Sequence, residues 1–316
     1  MKGSVIINGV DIADFGAFIL RGGDYDFLTF PERREPTQNN WYEYSGLDVD
    51  LSEVYFKERT LSIHFYISAS NSLEYEFNLN AFYALITEGY IGFYSREFAR
   101  MFKFRYLSST EYNHKGGLYR RGEKRGKFKI DFSIDEPLQL FTQPTIKIPN
   151  SSKQYPASGI IINGLDLAEF GIVVNECYSS MLLLPAVKAP LVRSFAKRTG
   201  VLAYPSSSPR FEAKENVIKC TMSASTRQEF YYNYEALFNN VSQAGEIMIE
   251  SYLGQAACYY TKMENFKKHG AFSQGVMVSF TLSFLQIDTG LTIFVLGAED
   301  GSALLTEDGE FIEITK

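Results

Sequence analysis

Hydrophobic and polar positions alternate in several short stretches of the chain, and this pattern predicts β-strands with one buried face. Every second residue from Leu61 to Ile67 is a large apolar side chain. The same alternation returns from Phe128 to Ile134 and from Phe280 to Phe284. Two shorter aromatic stretches, Tyr90–Tyr94 and Phe102–Leu107, have the composition of further strands. The pattern therefore favours a mainly β fold.

Two segments follow a helical period instead. Both begin with a capping box, in which a short polar residue precedes a glutamate by three positions. Each predicted helix ends at a glycine, which can terminate a helix in the left-handed conformation. The caps, glutamates and glycines are Asn71, Glu74 and Gly89 in one segment, and Thr226, Glu229 and Gly245 in the other. One helix is therefore predicted in each half of the chain.

The apolar residues of each predicted helix form a stripe that we expect to pack on a core. In the first helix Phe77, Ala81 and Leu85 lie four residues apart, with Phe82 and Ile86 beside them. In the second helix the stripe consists of Phe230, Tyr234, Leu237, Phe238 and Val241. Both stripes are expected to be buried against the neighbouring strands.

One motif occurs twice in the chain. Ile6–Gly16 has the sequence IINGVDIADFG and Ile161–Gly171 has the sequence IINGLDLAEFG, so eight of eleven positions are identical. Subtracting 6 from 161 gives an offset of 155, which also relates Ser68–Ser70 to Ser223–Ser225. Equal spacing over this distance indicates that a whole unit was duplicated. In each copy the Asn-Gly pair predicts a tight hairpin turn.

The duplication defines the predicted domains. The first domain spans residues 1–144, a linker spans 145–157, and the second domain spans 158–288. A small β-hairpin module is predicted at 289–316. Units of this size can each bury a hydrophobic core of their own.

Several connections are predicted between and after these units. Polar or Pro-containing loops occupy matching places at 31–40 and 184–193. Their presence in both copies suggests a role outside the core, and a tolerated surface connection is the alternative. The linker is rich in Pro and Ser, with one possible strand at 145–148. In the last module, strands are predicted at 289–296 and 311–315, and Asp308-Gly309 is a turn signal between them.

Composition adds to the β prediction and narrows the class of protein. The chain has 26 Phe and 21 Tyr but one Trp, and aromatic residues favour sheets. A net charge of −6 argues against a dedicated nucleic-acid binder. The three cysteines, Cys177, Cys220 and Cys258, all lie in the second half, so they form no disulfide framework and match no compact zinc pattern. We interpret them as buried thiols.

No motif predicts a catalytic, cofactor or metal site. The histidines His64, His114 and His269 have no partner at metal-ligand spacing. Paired carboxylates occur twice, at Asp11 with Asp14 and at Asp166 with Glu169, which leaves an acid–base pair conceivable. Because they lie in tight turns, where Asp commonly accepts from its own backbone, we expect them to form the turns.

A basic, glycine-rich segment at 114–127 has a less basic counterpart near 262–274. It is a candidate loop for contact with an acidic partner or nucleic acid, and a solvated hairpin tip is the alternative. The candidate contact residues are Lys115, Arg120, Arg121, Lys124 and Arg125.

Neither a signal peptide nor an apolar stretch long enough to span a membrane is visible in the sequence. We therefore expect no membrane partner and expect the protein to be made in the cytoplasm.

The order of elements in each repeat resembles the tail-tube fold of phage tail tube proteins, distal tail proteins and baseplate hubs. That order is an N-G hairpin, a long loop, a strand, one capped helix and closing aromatic strands. The opening INGVDIADFG is similar to the start of siphophage distal tail proteins, and LLTEDGEFIEI near the C-terminus is similar to terminal hairpins of phage structural proteins. The resemblance covers residues 1–288, at the level of element order.

The resemblance implies a mainly β (α+β) fold of two tandem tail-tube-like β-sandwich or split-barrel domains, each with one helix. It implies a structural component of a phage or prophage virion tail, made in the bacterial host cytoplasm, and no enzyme. Copies would form a ring around a channel, either a trimeric pseudo-hexamer or a hexamer. Its partners would be other tail or baseplate proteins, with DNA passing only transiently through the lumen.

Two other function classes fit the sequence less well. A carbohydrate-binding or adhesin-like β module would use exposed aromatic side chains to stack on sugars. A glycan hydrolase would use the carboxylate pairs in the turns. Both alternatives predict chemistry at the surface of a single chain, whereas the tail hypothesis predicts assembly.

Overall fold

The computed structural model describes residues 4–20, 22–115, 124–141, 147–197, 199–204, 209–272, 275–289, 293–295 and 313–315. These residues form a mainly β fold with few helices, as the alternation in the sequence predicts. Its framework is a pair of seven-stranded sheets, one from each copy of the repeat.

The first sheet has the strand order β2-β1-β7-β8-β9-β6-β3, with all neighbouring pairs antiparallel. Its long central strands carry the alternation seen in the sequence, so their large apolar side chains lie on one face. The strands are β1 (Val5–Ile7), β2 (Val10–Asp11), β3 (Ala17–Ile19), β6 (Arg59–Ala69), β7 (Tyr90–Ser95), β8 (Arg100–Lys115) and β9 (Lys124–Ile134).

The second sheet has the order β11-β10-β16-β17-β18-β15-β12, which matches the first sheet strand for strand. Its strands are β10 (Ile161–Ile162), β11 (Leu165–Asp166), β12 (Ile172–Glu176), β15 (Lys214–Ala224), β16 (Ile247–Ser251), β17 (Gly254–Lys268) and β18 (Val276–Gln286). The duplication in the sequence is therefore a duplication of sheet topology.

The repeated motif folds identically in both copies. Asn8 and Gly9 have φ of 48° and 85°, and Asn163 and Gly164 have 50° and 80°, so each pair makes the predicted hairpin turn. A 3₁₀ turn follows, at Ile12–Phe15 and at Leu167–Phe170. The return strand is therefore only two residues long in each copy.

One long helix packs on each sheet. Helix α1 spans Ser72–Ile86 and helix α3 spans Arg227–Val241, and both N-caps are the predicted residues. A single-turn helix, α2 (Tyr178–Met181), is an addition that the sequence patterns did not indicate.

The predicted stripe of α1 is partly wrong. Phe82 and Ile86 are buried as expected, but Phe77 is 72% exposed. Tyr75, which lies on the same face of the helix as Phe82, is buried instead. The apolar residues of α1 cover most of its circumference, so the fourfold spacing from Phe77 does not mark the face that meets the sheet. In α3 all five residues of the predicted stripe are buried.

The remaining described elements are short strand pairs, β4 (Gln38–Asn39) with β5 (Asp48–Val49), β13 (Leu191–Ser194) with β14 (Val201–Tyr204), and β19 (Ile293–Val295) with β20 (Glu313–Thr315). The last pair joins the two strands predicted near the C-terminus, while the predicted Asp308-Gly309 turn lies outside the described residues. The predicted linker strand is wrong where it is described, because Lys147 and Ile148 belong to no strand.

Candidate assembly surface

Metal-ligand clusters and reactive thiols come first among the features that would support chemistry. The described residues contain no group of three or more His, Cys, Asp or Glu side chains placed to hold a metal ion. Cys177, Cys220 and Cys258 are free and buried, as predicted. Burial raises the pKa of all three thiols, that of Cys258 to about 12, which keeps them protonated and poorly nucleophilic.

The carboxylates of the repeated motif stabilise the turns in which they lie. Asp11 accepts from the backbone N–H of Ala13 at 3.0 Å and pairs with Arg96 at 2.8 Å. Asp166 accepts from Ala168 at 2.7 Å, and its own N–H donates to Glu169. These contacts support the turn-forming interpretation over an acid–base pair.

The three histidines lie apart from one another. His64 is in the middle of β6, His114 contacts the rings of Tyr75 and Tyr112, and His269 contacts the hydroxyl of Ser279 at 2.8 Å. This arrangement brings together no pair of histidines that could act on a substrate.

The described part of the candidate basic loop consists of the end of β8 and the start of β9. The backbone of Lys115 is paired with that of Arg125, and Arg120 and Arg121 lie outside the described residues. Lys124 is 2% exposed, contrary to its predicted role as a surface contact. Alternation along β9 explains this, because Lys124 shares a face with Phe128, whereas Arg125 lies on the opposite, exposed face.

The two repeats contact each other directly. Residues 28–33, which we call the first docking segment, leave the first sheet and pack on α3 and β17 of the second repeat. Phe30 is 1% exposed, and its ring lies 4.5 Å from that of Tyr234 and 5.0 Å from that of Phe238, between centroids. Part of the predicted long loop thus binds outside its own core.

Hydrogen bonds to backbone carbonyls fix the register of this contact. The hydroxyl of Tyr234 donates to the carbonyl of Leu28 at 2.7 Å, and that of Tyr260 donates to Pro31 at 3.1 Å. The N–H of Arg33 donates to the carbonyl of Thr261 at 2.8 Å. Burial raises the pKa of both tyrosines well above the ordinary value, so they remain neutral donors.

A buried cation holds the first docking segment in shape. The guanidinium of Arg59, at the start of β6, donates to the carbonyls of Phe27, at 3.2 Å, and of Thr29. Burial lowers its pKa to about 10, which still leaves it charged at neutral pH. Charge-assisted bonds to two carbonyls constrain the backbone between them.

An ion-pair cluster adds a charged contact between the repeats. The ammonium of Lys268 lies 2.7 Å from a carboxylate oxygen of Asp24 and 2.6 Å from one of Glu97. Burial lowers the pKa of Lys268, but the bonds to both carboxylates outweigh it and leave the pKa raised. The cluster therefore favours one relative placement of the two repeats.

A second loop of the first repeat also rests on the second. The N–H of Gly46 donates to the carbonyl of Phe211 at 2.7 Å, and that of Leu47 donates to Ile287 at 2.9 Å. Lys188 is buried and donates to the carbonyls of Trp41 and Gly46. Gly46 has φ of 78°, and a side chain there would lie 1.7 Å from the carbonyl oxygen of Ile287.

Large aromatic side chains remain exposed beside this loop. Trp41, Tyr42 and Tyr44 are all exposed, and Trp41 and Tyr44 line a shallow depression together with Asp48. The indole N–H of Trp41 donates to the Asp48 carboxylate at 3.1 Å. A sugar could stack on these rings, so the depression is the place where the carbohydrate-binding alternative would act.

Sequence reasoning did not identify the residues that join the repeats. Phe30, Tyr234 and Tyr260 are single aromatic residues in a chain rich in them, and no local pattern sets them apart. A comparison of the two copies does point to the segment around Phe30. Pro31 and Pro185 occupy matching places and mark a segment that both repeats contain.

No helix among the described residues has both the length and the apolar character needed to cross a membrane. No protein-family model matches the chain, and no curated protein matches it. Among solved structures, it is similar to the Dit protein of phage SPP1, described as a paradigm of the hub adsorption apparatus of phages that infect Gram-positive bacteria. The two chains are 8% identical, the match covers 90% of this chain and 98% of that one, and the TM-score is 0.32. A likeness of this size assigns neither a detailed fold nor a function.

Proposed function

We propose that this protein is a structural subunit of a phage or prophage tail, at the distal tail, tube tip or baseplate hub. It acts by assembling with copies of itself into a ring around a channel through which DNA passes. Other tail or baseplate proteins bind the ring. The protein catalyses no reaction and needs no cofactor.

One observation carries the proposal. The two repeats have the same strand order, each with one long capped helix, and they pack on each other in tandem. Tandem copies that contact one another through different surfaces form a head-to-tail arrangement, which closes into a ring when the rotation between neighbours allows it. With two repeats per chain, three chains would make a pseudo-hexamer, and six chains would make a hexamer if only one repeat enters the ring.

Mass measurement on the purified full chain tests this function. Light scattering and sedimentation across a concentration series should reveal trimers or hexamers, and electron microscopy should show rings with a central opening. A strict monomer at high concentration, with no rings in any buffer, would overturn the proposal.

A second candidate function is carbohydrate binding at the depression lined by Trp41 and Tyr44. The exposed rings favour it, because aromatic faces stack on sugars. A glycan array probed with the wild-type chain and with Trp41→Ala tests it. Hits that the substitution removes would support this function, and an array without hits would exclude it for the glycans displayed.

A further inference from the structure

Both repeats contain a docking segment, and among the described residues only the first one is covered by the other repeat. Subtracting 31 from 185 gives an offset of 154, which pairs Pro31 with Pro185 and Pro36 with Pro190. Residues 182–187 are therefore the counterpart of 28–33, and we call them the second docking segment. Leu184, which corresponds to Phe30, is 59% exposed, and Leu182 and Val187 are exposed as well.

The second docking segment already has the conformation of the first. Lys214, the counterpart of Arg59, donates to the carbonyls of Met181 at 2.5 Å and Leu183 at 3.0 Å, which correspond to Phe27 and Thr29. The clamp on the backbone is thus the same in both repeats.

The next residues of the two segments also agree. Arg33 forms an isolated bridge with Phe56, and Val187 forms the equivalent bridge with Phe211. Two backbone hydrogen bonds flank each bridge. The donors are the N–H groups of residues 34 and 57 at the first bridge and of residues 188 and 212 at the second, and each donates to a carbonyl on the opposite segment. The N–H of Val187 consequently points away from the bridge, in the direction in which the N–H of Arg33 reaches Thr261.

The surface that receives the first docking segment has an open counterpart in the first repeat. Tyr234, Phe238 and Tyr260, which are buried under the segment, correspond to Leu79, Tyr83 and Tyr106, which are only half-buried. The bulge in β17 at Thr261 corresponds to the bulge in β8 at Leu107, whose side chain is exposed. The chain therefore exposes both halves of a contact that it makes once internally.

We propose that the second docking segment of one chain binds the α1–β8 surface of a second copy, in the geometry that joins the two repeats within a chain. This proposal rests on the self-assembly proposed above and specifies the surfaces that it uses. Leu184 fills the place of Phe30 between Leu79 and Tyr83. The hydroxyl of Tyr106 donates to the carbonyl of Pro185, and the N–H of Val187 donates to that of Leu107.

The contact between chains differs from the internal one in its polar groups. Leu79 has no hydroxyl where Tyr234 donates to Leu28, so one hydrogen bond has no counterpart. Positions 178 and 252 hold tyrosines where the internal contact has Asp24 and Glu97, and His114 stands for Lys268. The contact between chains thus has two tyrosines and a histidine in place of the ion-pair cluster. Because salt mainly weakens interactions between charges, we expect assembly to depend little on salt concentration.

Cysteine cross-linking tests the pairing of the two surfaces. Val187→Cys and Leu107→Cys place thiols at exposed positions. Their internal counterparts, Arg33 and Thr261, are joined by a backbone hydrogen bond of 2.8 Å from N to O, so the two backbones lie close enough for a disulfide. Mild oxidation of a mixture of the two single variants should give cross-linked dimers in at least about tenfold excess over either variant alone. Met101→Cys, which is exposed near the start of β8 and away from the bulge at Leu107, replaces Leu107→Cys in the control mixture.

A charged substitution tests the same contact without oxidation. Leu184→Glu should raise the concentration for half-assembly by more than about tenfold, because a carboxylate would be buried between Leu79 and Tyr83. Val201→Glu, at an exposed aliphatic position outside the segment, should leave it within about twofold.

The outcomes separate this proposal from the function on which it rests. Cross-links specific to the mixture, together with the loss of assembly in Leu184→Glu, support it. Wild-type rings that persist in Leu184→Glu, with cross-linking no better than the Met101→Cys control, overturn the docking proposal and leave the structural function standing. A wild-type chain that stays monomeric overturns both.

Discussion

Helices α1 and α3 occupy equivalent places on equivalent sheets, yet they meet different surroundings. Helix α3 buries nine residues, whereas α1 buries three. The extra burial comes from the first repeat, which covers Tyr234 and Phe238, and from the linker, where Asn150 and Ser152 donate to Asn233 and Glu229. The corresponding faces of α1 are uncovered in the single chain.

This difference shows where the two copies have diverged in sequence. Residues that contact the other repeat differ between the copies, whereas the strand order is the same in both. Where α3 touches the first repeat, Tyr231 and Tyr234 replace Glu76 and Leu79 of α1. Both tyrosines use the hydroxyl to reach backbone carbonyls of the first repeat. Residues that hold the sheets, by contrast, keep the same pattern of burial in both copies.

The largest effect is expected at the centre of the internal contact. Phe30→Ala should lower the free energy of unfolding by about 3–5 kcal/mol, because it empties a buried aromatic site. Leu184→Ala, at the matching exposed position, should cost no more than about 0.5 kcal/mol in dilute protein. Denaturant unfolding measures both, and equal losses would break the comparison between covered and open segments.

A smaller loss is expected at the loop that rests on the second repeat. Gly46→Ala should cost at least about 2 kcal/mol, since it combines an unfavourable left-handed backbone with a clash against Ile287. Gly89→Ala, also left-handed but facing open space, should cost about 1–2 kcal/mol from the backbone alone. If Gly89→Ala proves as costly as Gly46→Ala in thermal unfolding, the loop contributes nothing through its contact.

Removal of one hydroxyl sharpens the comparison further. Tyr234→Phe leaves the buried carbonyl of Leu28 without its donor and should cost about 1–3 kcal/mol. Tyr55→Phe removes a hydroxyl that bonds to Glu53 at the surface, and the expected cost is below about 0.5 kcal/mol. A Tyr234→Phe protein as stable as wild type in urea would show that this bond does not hold the repeats together.

The smallest effect is expected on the open face of α1. Phe77→Ser should change the free energy of unfolding by about 0.5 kcal/mol or less, because the ring is exposed in the single chain. Phe82→Ala, on the buried face, should cost about 3–5 kcal/mol. Unfolding of both variants below the assembly concentration measures this, and a loss at Phe77 that rivals the loss at Phe82 would restore the stripe predicted from the sequence.

Local features of the fold could be predicted from the sequence because they depend on neighbouring residues. The Asn8-Gly9 turn, the Asn71 and Thr226 caps and the alternation of β6 all follow from residue type and spacing. The duplication added the equivalence of the two sheets. The turn, the caps and the alternation each span a few positions, so tertiary contacts seldom override them.

The contact between the repeats could not be predicted in the same way. Leu28 and Tyr234 are separated by 206 positions, and their meeting depends on how two complete sheets pack. The exposure of Phe77 and the burial of Lys124 were likewise decided by which face of an element meets its neighbour. The basic loop stays a prediction, with Arg125 exposed on the outer face of β9 and Arg120 and Arg121 outside the described residues.

The clamp by Lys214 has a kinetic consequence for assembly. Because its ammonium fixes the backbone around Leu183 when the chain folds, the conformational entropy of this segment is lost before any partner arrives. Association then requires no further ordering of the loop, which is one of the main costs of forming a complex. The rate at which chains join should accordingly be set by diffusion and orientation, and a Lys214→Met chain should join more slowly.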